Sequence, residues 1–203
     1  MKLVIFDFDG VLANTEEMAY QIHKAKNENL TWKDFQYFSS GNFHEIYEKA
    51  VQEGKHIEPD NFYDNYKKGL EKINIHDALH KLVSSLAKNY KLVVVSSTSS
   101  VHIKNFLKKE TLLHCFSDIL GEDIHRSKVF KIETILKEYN SSPEEAIFIT
   151  DTTGDVIEAQ KCGVQSIGVT WGLHDREILE REKLFALVDT PEELGEKIEE
   201  FFR

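Results

Sequence analysis

The sequence predicts an α/β fold, a doubly wound parallel sheet of the Rossmann-like type with a helical insertion near its start. Three observations support this prediction. Short, nearly continuous apolar runs recur along the chain, as expected for parallel strands buried on both faces. Segments with helical spacing lie between these runs, and such alternation is typical of a doubly wound sheet. One long segment, residues 15–77, contains no strand-like run.

The predicted strands are short and rich in β-branched and aromatic residues. The first follows Lys2 and ends at Asp7, and it is too short for a helix. The later apolar runs have the same character and are interpreted as further strands of one sheet. They cover residues 92–95, 146–150 and 166–170, with a weaker candidate at 117–120.

The predicted helices show apolar stripes and start signals. One stripe runs through residues 129–139 and another through 194–201. Thr190 followed by Pro191 and two glutamates predicts the start of the final helix. The same pattern at Ser142 predicts only a single turn, because the next apolar run begins at Ala146.

Residues 15–77 are predicted to form a helical cap over the carboxyl end of the sheet. They show helical spacing of apolar residues and hold nearly half of the aromatic residues of the chain. Caps of this kind exclude water and select substrates. The predicted domains are therefore a core, formed by residues 1–14 and 78–203, and a cap, formed by residues 15–77.

Composition excludes several classes of protein. The net charge of −10 over 203 residues argues against a nucleic-acid-binding face and against binding to anionic membranes. No apolar stretch reaches the length of a membrane span. The two cysteines, Cys115 and Cys162, are expected to be reduced thiols, so a cytoplasmic location is expected. The sequence leaves the oligomeric state open.

Polar groups follow the predicted strands in four places. They are expected to meet because the carboxyl ends of parallel strands share one edge, where ligands bind in open α/β sheets. Taken singly, each group has an ordinary explanation as a turn, a helix cap or a solvated residue. Their occurrence in order favours a site for a hard cation and a phosphate. The four groups are Asp7 with Asp9, the hydroxyl-rich turn 96–100, Lys128, and Asp151 with Asp155.

These four groups resemble the motifs of the haloacid dehalogenase-like hydrolase superfamily, in the branch with a helical cap after the first strand. The sequence Asp-Phe-Asp-Gly at residues 7–10 matches the first motif, and Val95-Ser96 matches the second. Lys128 matches the third, and residues 151–155 match the fourth. The late stretch at residues 167–172 is similar to phosphoglycolate phosphatase-like members, and β-phosphoglucomutase-like members also resemble the chain closely.

The resemblance implies a Mg²⁺-dependent phosphatase that acts on a small phosphorylated metabolite. Asp7 would be the nucleophile that forms an aspartyl-phosphate, and Asp9 would be the general acid and base. Mg²⁺ would bind Asp7, the backbone carbonyl of Asp9 and Asp151, with Asp155 as a ligand or an orienting group for its waters. The phosphoryl oxygens would be held by Gly10, Ser96, Ser97 and Lys128.

Several alternatives stay open at this point. Lys131 lies one turn from Lys128 and could replace it as the phosphate-binding lysine. A sugar-phosphate mutase is disfavoured because Ala19 stands where the resembling mutases have histidine. A dehalogenase would lack the second acid, Asp9. A non-catalytic phosphometabolite-binding protein would be expected to lose Asp7 or Asp9.

Two further expectations concern loops. The Ser-Ser-Gly-Asn turn at residues 39–42 is expected to be a polar tip of the cap, so Asn42 and His44 are predicted to help select the substrate. His174 follows the last predicted strand and is expected to lie in a surface turn rather than at the site.

Overall fold

A computed structural model of the chain describes all 203 residues. They form one six-stranded sheet in the order β3-β2-β1-β4-β5-β6, and every neighbouring pair is parallel. The predicted α/β doubly wound fold is therefore confirmed. The strands are β1 (Leu3–Phe6), β2 (Lys91–Val95), β3 (Phe116–Leu120), β4 (Ala146–Thr150), β5 (Gln165–Val169) and β6 (Ala186–Val188).

Ten helices connect and cover the strands. Two single 3₁₀ turns add to them, and one of these, Pro143–Glu145, is the turn predicted from the capping pattern at Ser142. The helices are α1 (Glu16–Lys24), α2 (Trp32–Tyr37), α3 (Phe43–Gln52), α4 (Phe62–Leu70), α5 (Asp77–Leu86), α6 (Ser100–Lys109), α7 (Lys128–Glu138), α8 (Thr153–Lys161), α9 (Arg176–Leu179) and α10 (Pro191–Phe201).

Strand β1 is apolar at every position because both faces of the sheet are covered. Alternate residues of a strand point to opposite faces. In β1, Val4 and Phe6 belong to the larger core, which also holds side chains from α5, α6 and α10. Leu3 and Ile5 belong to the second core, which is built with α7 and α8. Buried side chains on both faces explain why these runs show no polar alternation.

The order of the strands places a topological switch point at the centre of the sheet. From β1 the chain moves outward through β2 and β3, and then returns to β4 on the other side of β1. Ligands of open α/β sheets bind outside the carboxyl ends of the strands at such a point. Here the turns after β1 and β4 lie side by side, because Phe6 of β1 pairs with Ile149 of β4.

The predicted cap segment contains four helices, α1 to α4, and no strand. Tyr20, Leu30, Phe35, Phe38 and Ala50 form a small core of its own, which Leu173 of the sheet domain joins. Helix α4 also packs into the larger core through Tyr66 and Leu70. The domain boundaries at residues 15 and 77 stay a prediction.

Two elements were not predicted. Strand β6 has only three residues, and α9 has only four, so neither offers enough residues for a periodic pattern. Each helix of the structure is too short or too polar to cross a lipid bilayer.

Candidate active site

A cavity of about 430 Å³ lies between the carboxyl end of the sheet and the cap. Its lining includes most of the residues that the sequence singled out, although they are spread over the turns after β1, β2 and β4 and over α3, α7 and α8. The predicted site residues that line it are Asp7, Asp9, His44, Ser97, Lys128, Asp151 and Asp155.

Lys128 forms the charged centre of this site. Its ammonium Nζ lies 2.6 Å from Asp155 Oδ2 and 3.0 Å from Asp7 Oδ1, and all three side chains are more than nine-tenths buried. Ser127 caps helix α7 by accepting a hydrogen bond from Phe130, which places Lys128 in the first turn with its side chain toward the site. The structure thus joins the first, third and fourth motifs through one lysine.

Lys131, the alternative phosphate-binding lysine, has a different position. Its Nζ donates to the backbone carbonyl of Ser96 at 2.5 Å and lies 3.4 Å from that of Gly121, so it ties the ends of β2 and β3 together. It does not line the cavity. The geometry therefore favours Lys128 over Lys131.

The buried carboxylates exceed the positive charge beside them. Burial raises the pKa of Asp7 well above its ordinary value, against the opposing effect of Lys128. Burial also raises the pKa of Asp151, to about 7. Burial acts in the same direction on Asp155, but the charge of Lys128 and several hydrogen bonds hold its pKa below the ordinary value. One lysine thus faces three buried acids, a balance that favours a bound cation.

Asp151 carries an oxygen that the protein leaves without a partner. Its Oδ2 accepts a hydrogen bond from the Leu173 amide at 2.7 Å, whereas Oδ1 is buried and accepts none. Gly10 and Gly172 pack so closely on this carboxylate that a Cβ at either position would lie within 2.5 Å of Oδ2. Gly10 also has a φ of +70°, which favours glycine.

The residues present fit a Mg²⁺ ion. The Asp9 carbonyl accepts none of the backbone hydrogen bonds of its turn, and Asp151 Oδ1 is an unpaired oxygen at the same edge of the sheet. No three carboxylate or imidazole side chains converge into a cage. Mg²⁺ does not need one, because it commonly uses one or two carboxylates and keeps several waters.

Asp9 is held by three hydroxyl groups from three parts of the chain. Thr15, just before α1, donates to Oδ1 at 2.6 Å, and Thr98, after β2, donates to Oδ2 at 2.7 Å. The hydroxyl of Tyr66, on cap helix α4, also donates to Oδ1. Burial and the nearby Asp9 charge raise the pKa of Tyr66 well above its ordinary value, so it remains a neutral donor.

Three predicted residues do not line the cavity. Ser96 is fully buried, and its hydroxyl accepts a hydrogen bond from the Thr98 amide at 3.0 Å. Gly10 contributes backbone beside Asp151 rather than a wall of the cavity. Asn42 caps α3 by accepting from the Glu45 amide. Their roles in phosphate binding and substrate selection stay predictions.

Glu16 is a site residue that the sequence motifs do not indicate. It is the first residue of α1, lines the cavity and has a buried Oε1 without a hydrogen-bond partner. Burial, followed by the charge of Asp151, raises its pKa to about 9. A glutamate in the first turn of a helix is ordinary, so no sequence pattern indicates this burial.

His174 corrects one expectation. It was expected in a surface turn, but it is almost completely buried between the cap and the site. Its Nδ1 accepts a hydrogen bond from the Thr153 amide at 3.1 Å, and its Nε2 lies 3.0 Å from the Gln36 carbonyl of α2. Burial lowers its pKa, which favours the neutral form that accepts at Nδ1 and donates at Nε2. The cap covers this turn, and the sequence of the turn does not reveal that contact.

Fold and site together define a doubly wound α/β protein whose helical cap covers an acidic centre. The family described as haloacid dehalogenase-like hydrolase matches residues 4–169, and the chain belongs to this family. The match spans the four motifs and the cap between the first two. The family resemblance of the sequence is therefore confirmed.

Individual relatives cover nearly the whole chain. Pyrophosphatase PpaX of Bacillus thuringiensis is 25% identical over 205 residues, which span 96% of this chain and 94% of the relative. The crystal structure of a predicted phosphatase from Clostridium acetobutylicum is 27% identical, with a TM-score of 0.75 and 98% of each chain covered. A haloacid dehalogenase-like hydrolase from Streptococcus pneumoniae, SP0104, has a TM-score of 0.77 at 21% identity, with 100% and 99% covered.

Proposed function

We propose that this protein is a Mg²⁺-dependent phosphatase that hydrolyses a small phosphorylated metabolite through an aspartyl-phosphate on Asp7. One observation carries the proposal. Asp7 and Asp155 flank the Lys128 ammonium at the cavity wall, and the cavity also meets Asp151, which has an unpaired oxygen. A nucleophile, a fixed cation and a site for a second cation are the parts that phosphoryl transfer needs.

In the first half of the reaction, an Asp7 carboxylate oxygen attacks phosphorus while the bond from phosphorus to the leaving alcohol oxygen breaks. Asp9 gives its proton to that oxygen, so the alcohol leaves neutral. Lys128 and the backbone amides after β2, near Ser97, stabilise the charge on the equatorial phosphoryl oxygens. Lys128 is already fixed by Asp155, so little reorganisation is needed.

In the second half, Asp9 acts as a base. It takes a proton from a water molecule whose oxygen attacks phosphorus, and the bond from phosphorus to Asp7 breaks. Inorganic phosphate leaves and both aspartates return to their starting states. Thr15, Thr98 and Tyr66 keep Asp9 in place through both halves, since a hydroxyl can donate to a carboxylate and accept from a carboxylic acid.

Mg²⁺ would be held by Asp7, the carbonyl of Asp9 and Asp151, with Asp155 next to them. When bound, it neutralises negative charge on the transferring group and on the buried acids. Asp155 Oδ2 already accepts from Lys128 and from Thr150, so Asp155 acts mainly on Lys128 in this proposal.

Two other activities deserve comparison. A sugar-phosphate mutase of the same family is the runner-up, and Ala19 lines the cavity where the resembling mutases carry a histidine, so this chain lacks that group. The name of the PpaX relative suggests pyrophosphate as a second substrate to test. A non-catalytic binding protein is disfavoured because Asp7 and Asp9 are both present at the cavity.

The test is a panel of phosphate esters assayed with Mg²⁺ and with a chelator. We expect release of phosphate that needs Mg²⁺ and disappears in Asp7→Asn. Asp64→Asn is the matched control, because Asp64 is exposed on α4 and does not line the cavity. Turnover that survives in Asp7→Asn at the wild-type rate would refute the nucleophile.

The cap tip forms a separate part of this proposal. His44 lines the cavity, whereas Asn42 holds the fold together through Glu158 at 3.1 Å and the cap of α3. We expect both His44→Ala and Asn42→Ala to change the order of preference among substrates. Asn42→Ala is also expected to lower the stability of the protein. An unchanged order of preference in both variants would show that Asn42 and His44 do not select the substrate.

A further inference from the structure

The cap side of the cavity is an aromatic wall. Six rings from α2, α3 and α4 line it, and two pairs are stacked. Phe43 and Tyr47 have centroids 5.5 Å apart at 16°, and Phe62 and Tyr66 have centroids 5.7 Å apart at 23°. This aromatic wall is formed by Phe35, Phe43, Tyr47, Phe62, Tyr63 and Tyr66.

His23 joins the aromatic wall into one surface. Its ring lies 5.0 Å from Phe62, 5.5 Å from Tyr47 and 5.7 Å from Phe35. Its Nδ1 lies 3.1 Å from Nε2 of the buried His56, which fixes the orientation of the imidazole. Burial, with a smaller effect of His56, lowers the pKa of His23 to about 3, so the ring is neutral.

The same part of the cavity offers no unpaired positive charge. Arg126 is the only lysine or arginine in the lining besides Lys128, and it is paired with Glu48 of α3. Burial, with a smaller effect of the Arg126 charge, lowers the pKa of His44 to about 4.

Two carboxylates add negative charge to this region. Glu58 and Glu122 both line it, and Glu122 accepts a hydrogen bond from Tyr63. A second phosphate or a carboxylate on the substrate would therefore meet negative charge and no free cation.

We infer that the substrate is a phosphate monoester whose leaving alcohol carries a flat ring without negative charge, as in a nucleoside 5′-monophosphate. This inference rests on the proposed phosphatase function and names its substrate class. The phosphate binds at Lys128, and the ring packs on the aromatic wall. The volume of about 430 Å³ lies in the range of pockets that bind whole small molecules, which begins at about 300 Å³.

The chemistry of the wall explains the preference. Aromatic side chains bind flat rings by stacking, and they do so with little regard to the identity of the ring. Stacking of one base on an aromatic side chain is worth roughly 5- to 150-fold in binding. A substrate without a ring gives up this contribution, and a substrate with a second anion also meets Glu58 and Glu122.

The decisive comparison is between adenosine 5′-monophosphate and ribose 5-phosphate, which share the sugar and the phosphate and differ in the ring. Uridine 5′-monophosphate extends the ring set, and phosphoglycolate and pyrophosphate represent a second anion. We expect kcat/KM for at least one ring-bearing ester to exceed that for ribose 5-phosphate by about fivefold or more. Equal values for all of them, or a preference for either second anion, would overturn the inference.

Variants of the wall test the cause. Tyr47→Leu is expected to raise KM for the ring-bearing ester by about fivefold or more and to leave KM for ribose 5-phosphate unchanged. Tyr37→Leu is the matched control, because Tyr37 also lies in the cap but is exposed and outside the lining. Equal loss with both substrates in Tyr47→Leu would indicate a structural role and contradict the inference.

A charge variant gives an independent test. Glu58→Lys adds a cation to the lining and is expected to raise kcat/KM for phosphoglycolate, whereas Glu28→Lys makes the same charge change at an exposed residue outside it. Equal effects of both variants would contradict the electrostatic part of the inference. If the wild type shows no turnover that Asp7→Asn abolishes, the phosphatase proposal itself is refuted. If it shows such turnover but no preference for ring-bearing esters, only the substrate class is refuted.

Discussion

Replacement of Lys128 by methionine tests how the site is held together. Methionine keeps the unbranched stem of the side chain but removes the charge that lies 3.0 Å from Asp7 and 2.6 Å from Asp155. Both acids are more than nine-tenths buried, so water solvates them poorly once the ammonium is lost. The variant therefore leaves two acids without their counter-ion.

The size of the effect follows from that burial. Removing one partner of a buried ion pair costs about 3–5 kcal/mol. For a chain of this length, each kcal/mol changes the melting temperature by about 2–4 °C. We therefore expect Lys128→Met to unfold about 6–20 °C below the wild type in chelator at pH 7, and Mg²⁺ to restore part of the loss.

The pH dependence separates charge from packing. In the wild type, Lys128 holds the pKa of Asp155 below its ordinary value, and this stabilisation is lost only as pH falls through that lowered pKa. In the variant the charge of Lys128 is gone and burial raises the pKa of Asp155, so its carboxylate takes up a proton more readily as pH falls from 7 to 5. The stability deficit of Lys128→Met should therefore shrink at pH 5.

The matched control is Lys131→Met, which removes an equally buried lysine that contacts two backbone carbonyls and no carboxylate. Burial lowers the pKa of Lys131 to about 8, so it stays charged between pH 5 and 7 and its deficit should not change there. Melting curves by circular dichroism at both pH values give the answer. A Lys128→Met deficit that is absent, or that is the same at pH 5 and 7, would show that the Lys128 charge does not stabilise the two buried acids.

Three further predictions concern neighbouring residues. Gly10→Ala should abolish Mg²⁺ binding in calorimetry, because a Cβ there would lie 1.9 Å from Asp151 Oδ2; binding at wild-type affinity would contradict this. In chelator, the free energy of unfolding of Glu16→Gln relative to the wild type should increase as pH rises from 5 to 8, by at most about 1.4 kcal/mol per pH unit. The pKa of Glu16 is about 9 in the folded state and lower in the unfolded state, so the wild type loses stability as pH rises. A difference in melting temperature between variant and wild type that stays constant from pH 5 to 8 would contradict this prediction. Tyr66→Phe should lower kcat by about tenfold or more in steady-state kinetics, because a hydrogen bond to a charged group is worth about 1.5–3 kcal/mol; an unchanged kcat would exclude a role for its hydroxyl in holding Asp9.

Much of the fold could be predicted because its signals are local. The strand through Leu3–Phe6 is buried on both faces, so its continuous apolar run marks it without knowledge of its neighbours. Ser142 marks a 3₁₀ turn and Thr190 marks the start of α10, each through a glutamate three positions further on. Strand β6 was missed because three residues that depend on pairing with β5 carry no pattern of their own.

The site was predictable where it depends on turns after strands. Asp7, Lys128 and Asp151 follow the order of the motifs, and the parallel sheet brings them to one edge. The contacts of Tyr66 and His174 depend on how the cap lies over that edge. Tertiary packing alone decides those contacts, and the residues next to Tyr66 and His174 in the sequence form no pattern that predicts them.

The formation of an aspartyl-phosphate on Asp7 can be measured directly by trapping. The protein is mixed with Mg²⁺ and an ester that it hydrolyses, and the reaction is then quenched. Borohydride reduction converts an aspartyl-phosphate to homoserine, and mass spectrometry of the peptides locates the modified residue. We predict homoserine at position 7 in the wild type and none in Asp7→Asn. Efficient turnover with the modification at another residue, or with no modification at all, would contradict the account.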